Sequence, residues 1–106
     1  MLINKSSKIE SGDVATFKLV NGDEIMAKVV SETDSEYVIN RPRVVIITRD
    51  GQPALMTSMF TSEDGDVTLG KAFIMMKTLT IDQFKQSYTQ QVTGLEMLPP
   101  GSKLRQ

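Results

Sequence analysis

Three guanidiniums, Arg41, Arg43 and Arg49, stand close together in the sequence with no carboxylate between the first and the last. Arg41 and Arg43 share a strand face if Pro42 leaves the pleat intact, and paired guanidiniums suit phosphate oxygens. They suit carboxylates equally well, in the same or a neighbouring subunit. The acidic stretches are SETDSE, with Glu32, Asp34 and Glu36, and TSEDGD, with Glu63, Asp64 and Asp66. The second lacks the spacing and flanking helices of a calcium loop and reads as a solvated turn. Neither LVNGD nor DGDVTLG has the spacing and following helix of a phosphate-binding glycine loop. The chain contains no cysteine and no histidine. Thiol nucleophiles, disulfides, imidazole acid–base pairs and Cys or His metal sites are therefore excluded, and only an all-carboxylate Mg²⁺ or Ca²⁺ site stays conceivable. We assign no catalytic residue, no cofactor and no metal, and expect a protein that is not an enzyme.

Lys and Arg number 12 against 13 Asp and Glu, so the net charge of -1 provides no overall basic footprint and no duplex-DNA partner is expected. The 106 residues make one domain of globular composition, small enough that help from a partner subunit is unsurprising. The start, MLINKSSKIESGD, has no apolar core of a leader, and no stretch approaches ~18 uninterrupted apolar residues. A cytoplasmic protein with no membrane partner is expected, and the missing cysteines fit a reducing compartment.

The elements that must position these groups follow from period and turn chemistry. Residues 1–12 read as a flexible arm. From Val14 to Val30 the odd positions Ala15, Phe17, Leu19, Ile25, Ala27 and Val29 are apolar. A two-residue Asn21-Gly22 turn would split that face, whereas a Val20-Asn21-Gly22 loop with Gly22 in the left-handed bulge position pairs Phe17 with Ile25 and Ala15 with Ala27. YVINRPRVVIIT is a long third strand, with a bend, bulge or edge at Pro42. After Asp50-Gly51 come a fourth strand at 54–60, an acidic loop TSEDGDVTLGK and a fifth strand at 72–80. Then the period changes: Ile81, Phe84, Tyr88, Val92 and Leu95 mark one face of a helix running to about Thr93. Thr80 with Gln83 forms a capping-box pattern and Gly94 a C-terminal stop. The expected organisation is a β-barrel over 13–80, a C-terminal helix and its cap over 81–98, and a tail over 99–106. The class is mainly β, a small, strongly bent five-stranded antiparallel barrel of SH3-like, OB or Sm type.

The run NGDEIMAKVVSETD, with Gly22, Ala27, Val29 and Asp34 in matching places, resembles the first signature of the Sm-like family. Leu69-Gly70-Lys71 stands where the second signature falls. Asn21-Gly22, Arg41-Pro42-Arg43-Val44-Val45 and TGLEMLPP are similar to features of small Sm-like proteins of bacteriophages, with the helix at the C-terminus. The resemblance implies a homo-oligomeric ring of about five to seven subunits, in the cytoplasm of a bacterial host if the protein is of phage origin. In such rings the fourth strand pairs with the fifth of its neighbour, which points to Met56, Met59, Phe60, Phe73 and Met75 as interface residues. Met56, Met59, Met75 and Met76 serve equally well as ordinary core.

The resemblance also implies single-stranded RNA at the pore, bound without catalysis. Carried over by position, Tyr37 would stack a base, Asn40 would read one and Lys71 would meet phosphate, with Arg41 and Arg43 as a further basic pair. The alternative for Tyr37 is a strand residue packed on its neighbour. The alternative for the whole chain is a phage structural or protein-interaction ring that keeps the fold without binding RNA, in line with its acidic loops.

Overall fold

The computed structural model describes residues 8–59 and 65–93. They form β1 (Val14–Leu19), β2 (Glu24–Glu32), β3 (Glu36–Ile47), β4 (Pro53–Thr57), β5 (Asp66–Gly70), a 3-10 turn (Lys71–Phe73), β6 (Ile74–Leu79) and α1 (Asp82–Thr93). All strand pairs are antiparallel, in the order β4-β3-β2-β1-β6, with β5 also paired to β3. The mainly β class with a C-terminal helix is as expected. The closed five-stranded barrel is not: among the described residues the sheet has six strands and stays open, with β4 and β6 at opposite ends of the path. No helix among the described residues is long and apolar enough to cross a membrane.

The opening hairpin has the bulged turn. Gly22 takes φ +96°, its N–H donates to the Leu19 carbonyl at 2.9 Å, and Leu19 N–H donates to Asp23 at 2.8 Å. Phe17 then faces Ile25 and Ala15 faces Ala27, so the odd positions share one buried face. A side chain at residue 22 would be strained by the backbone alone.

Pro42 bends β3 by a bulge. Arg41 sits at φ 51°, unusual for a residue with a Cβ. The register with β2 slips between Met26↔Arg43 and Lys28↔Asn40, leaving Ala27 opposite the Arg41-Pro42 step. On the other side of β3 the same latitude separates β4, which pairs with residues 43–47, from β5, which pairs with residues 36–40. These two strands therefore lie end to end along one strand position. The segment 66–70, read from sequence as loop, forms a strand because Val67 and Leu69 can pack against the core while the first half of β3 supplies its backbone partners. β6 begins at Ile74 instead of 72, since Lys71–Phe73 turn into it, and β4 ends at Thr57; Phe60 lies outside the described residues.

The two faces of the sheet are packed differently. On one, Ile9, Ala15, Phe17, Ile25, Ala27, Val29, Tyr37 and Ile39 form the main core. Ile9 shows that residues before Asp13 join the fold, and Gly12 N–H reaches the Val29 carbonyl at 2.7 Å. On the other face, Val14, Met26 and Tyr88 form a small cluster beneath α1, with Phe84, Val92, Val45 and Leu55 half-buried around it. Of the expected helical stripe, Ile81 departs: it is 63% exposed. Leu95 and Gly94 lie outside the described residues. The capping box does not form as read, because the helix starts at Asp82 and the Thr80 hydroxyl meets that of Thr16 at 2.7 Å.

Candidate functional site

Two features of the molecule can do work beyond holding it together: the open edges of the sheet and a lysine pair around Tyr37. Among the described residues, strand β6 pairs with β1 on one side and has no strand on the other, and β4 with β5 likewise closes only against β3. An open strand leaves backbone donors and acceptors that another strand can take. Apolar side chains accompany both edges. Phe73, Met75 and Met76 are each 60% exposed beside or within β6, and Met56 and Met59 are exposed on and after β4. The four methionines that could have been core are thus all at the surface, and Met26 alone fills a core position among the described methionines. Phe60, the remaining expected interface residue, falls outside the described residues.

Tyr37 is a core residue. It is 2% exposed, and its ring lies against Phe17 with centroids 5.2 Å apart. A base has no face there on which to stack. The polar end of the ring is nevertheless used: Lys77 Nζ donates to the Tyr37 hydroxyl at 2.8 Å, and the ammoniums of Lys71 and Lys77 both lie 5.1 Å from the ring centroid. Such positions favour a cation through the ring quadrupole. Lys71 also donates to Glu32 Oε2 at 2.6 Å, tying the 3-10 turn to the β2–β3 hairpin, while its backbone N–H reaches the Ser35 carbonyl at 2.8 Å. The Lys71 hydrogen bond, aided by the charges of Lys71, Lys77 and Lys8, holds the Glu32 carboxyl below the ordinary glutamate range. Lys77 was invisible as a member of this group from sequence, since its neighbour Tyr37 is contributed by a strand three places away in the sheet.

The remaining expected RNA residues are held elsewhere. Asn40 is three residues from Tyr37 along β3, roughly 10 Å, and its amide donates to Asp66 at 2.8 Å. Arg41 donates to the Val92 carbonyl at 2.7 Å, a cation at the C-terminal end of α1 where the helix dipole favours one. Arg43 is buried and donates through Nε to Gln91 at 2.7 Å. Arg41 and Arg43 therefore fasten α1 to the bend of β3. Of the five, Tyr37 and Lys71 come together at one place, and Arg41 and Arg43 at the C-terminal end of α1.

Compared with known proteins, the chain matches no family model and no curated sequence.

Proposed function

We propose that the protein assembles with copies of itself into a closed ring of Sm-like type, β4 and β5 of one subunit lying against β6 of the next, and that it acts through this assembly without catalysis. The observation that carries this reading is the pair of open edges, at opposite ends of one bent sheet and each accompanied by exposed apolar residues. A head-to-tail contact that uses a different surface on each partner gives a ring when its rotation closes. The bulge at Pro42 and the end-to-end placement of β4 and β5 in one strand position support a strongly bent sheet whose two ends can face neighbouring copies. Light scattering at micromolar concentration should give a mass of about five to seven subunits; a monodisperse monomer overturns the reading.

A second reading, single-stranded RNA held by the ring, is favoured by the Lys71–Lys77 pair. Each subunit adds the same ammoniums, so weak phosphate contacts accumulate by avidity. Recognition would be electrostatic, since Tyr37 is buried, and no duplex binding is expected. Short U-rich and A-rich oligonucleotides should bind weakly, and Lys71→Ala should flatten the salt dependence. No binding at ~50 mM salt removes RNA and leaves a structural or protein-interaction ring.

A further inference from the structure

The bulge at Pro42 divides the β2–β3 ladder into two halves. In one, residues 28–32 of β2 pair with 37–40 of β3, whose other side takes β5. In the second, residues 25 and 26 pair with 43 and 44, and β4 runs along 43–47. A bulge bends and twists a strand at the point where it interrupts the ladder. Arg41 stands at that point with φ 51°, a conformation that persists in a residue with a Cβ only where its surroundings hold it. Helix α1 touches both halves through polar groups. The Tyr88 hydroxyl accepts the Lys28 N–H at 3.1 Å and lies 2.7 and 3.1 Å from the Asn40 and Arg41 carbonyls, donating to one of them at a time. Three residues on, and so on the same face of the helix, the Gln91 side chain accepts from Arg43 Nε at 2.7 Å and donates to the Leu55 carbonyl of β4 at 3.2 Å. Arg41 itself donates to the Val92 carbonyl at 2.7 Å.

We infer that α1 is a brace across the bend: Tyr88 on one half and Gln91 on the other fix the angle between them, and with it the angle at which β5 stands to β4 along the strand position they share. The apolar cluster of Val14, Met26 and Tyr88 presses the helix onto the sheet, but burial of this kind has no direction. Hydrogen bonds do, and they weaken steeply when the donor and acceptor turn away from one another. A helix carrying two such anchors one turn apart, each on a different half, resists opening or closing of the bend in a way that either anchor alone does not. The consequence for assembly rests on the ring reading. Where the β4–β5 position of one copy lies against β6 of the next, the bend angle enters the rotation from subunit to subunit, and a ring closes at a single size only if that rotation is fixed.

The test removes the anchors and reads the angle. Backbone residual dipolar couplings give the orientation of residues 36–40 against residues 43–47, light scattering gives the mass, and circular dichroism confirms that each variant folds. Tyr88→Phe combined with Gln91→Ala keeps the aromatic ring and removes both anchors. The couplings of the two halves should then no longer fit one rigid orientation, and the assembly should spread from a single mass over several. Gln91→Ala alone, at an exposed position, should act in the same direction to a smaller extent, and it decides the matter if the double variant does not fold. Phe84→Ala weakens the apolar packing of the helix without touching either anchor, so it should leave the orientation and the mass as in the wild type. Wild-type couplings in the anchor variants overturn the brace, and so does an equal loss of orientation in Phe84→Ala. Altered couplings with an unchanged single mass overturn its effect on ring size. A monomeric wild type overturns the ring and that effect with it, while the couplings still decide the brace.

Discussion

The two faces of this sheet reach burial by different routes. On the core face the sheet bends over its own side chains: Phe17, Ala15 and Ala27 reach 0% exposure with contributions from five strands and from Ile9 of the N-terminal turn. On the opposite face α1 alone among the described residues provides cover, and only Tyr88 of that helix is buried. The core face is held by apolar area. The helix face adds to a smaller apolar cluster and the Arg41 and Arg43 contacts a hydroxyl placed among backbone groups at the Pro42 bulge. Tyr88 accepts the Lys28 N–H at 3.1 Å and faces the Asn40 and Arg41 carbonyls at 2.7 and 3.1 Å. The difference teaches that the bend and the helix are one device: the bulge leaves polar backbone that needs a partner, and the helix brings it.

That contrast can be broken from either side. Phe17→Ala should cost most, about 3 to 5 kcal/mol, because its site is closed on all sides; chemical denaturation measures it, and a loss near zero contradicts the assignment of the main core. Tyr88→Phe keeps the ring and removes the hydroxyl, so it should cost about 1 to 3 kcal/mol for stranding buried backbone groups. Hydrogen exchange at Lys28 should accelerate in the same variant. Phe84→Ala, at a half-buried position bordering an open pocket of about 230 Å³ between α1 and strands β1, β2, β3 and β6, should cost less than the full aromatic penalty, about 1 to 2 kcal/mol. A loss as large as that of Phe17→Ala would mean that the helix face is packed like the core.

The smallest effect belongs to the exposed Lys71–Glu32 bridge. Its carboxyl titrates below the ordinary glutamate range in the folded protein, so the stabilisation is present above that range and fades as pH falls through the lowered folded value. Carboxyl-detected NMR should show Glu32 moving back toward the ordinary value in Lys71→Ala.

Much of the core face was legible because the signals were local. Parity along 14–30 and the αL requirement at Gly22 together decide the register of β1 and β2. The helix was legible for the same reason, apart from its first turn, where Thr80 answers to Thr16 across the sheet. What escaped depends on distant partners. Val67 and Leu69 form only two apolar alternations beside an acidic cluster, too few to mark a strand without β3 next to them. Arg41 and Arg43 look like a phosphate pair until the bulge turns them toward Val92 and Gln91. Lys77 joins Tyr37 only through the sheet order.

The central claim is that the open edge of β6 is covered by a second copy. Amide hydrogen exchange at Ile74–Leu79 and Pro53–Thr57, followed over a range of protein concentrations, addresses it directly. In an assembled ring the N–H groups that point away from β1 and β3 should be protected, and the protection should fade on dilution as subunits separate. Rapid exchange of those outward amides at every concentration, while the amides paired inside the subunit stay protected, would contradict it.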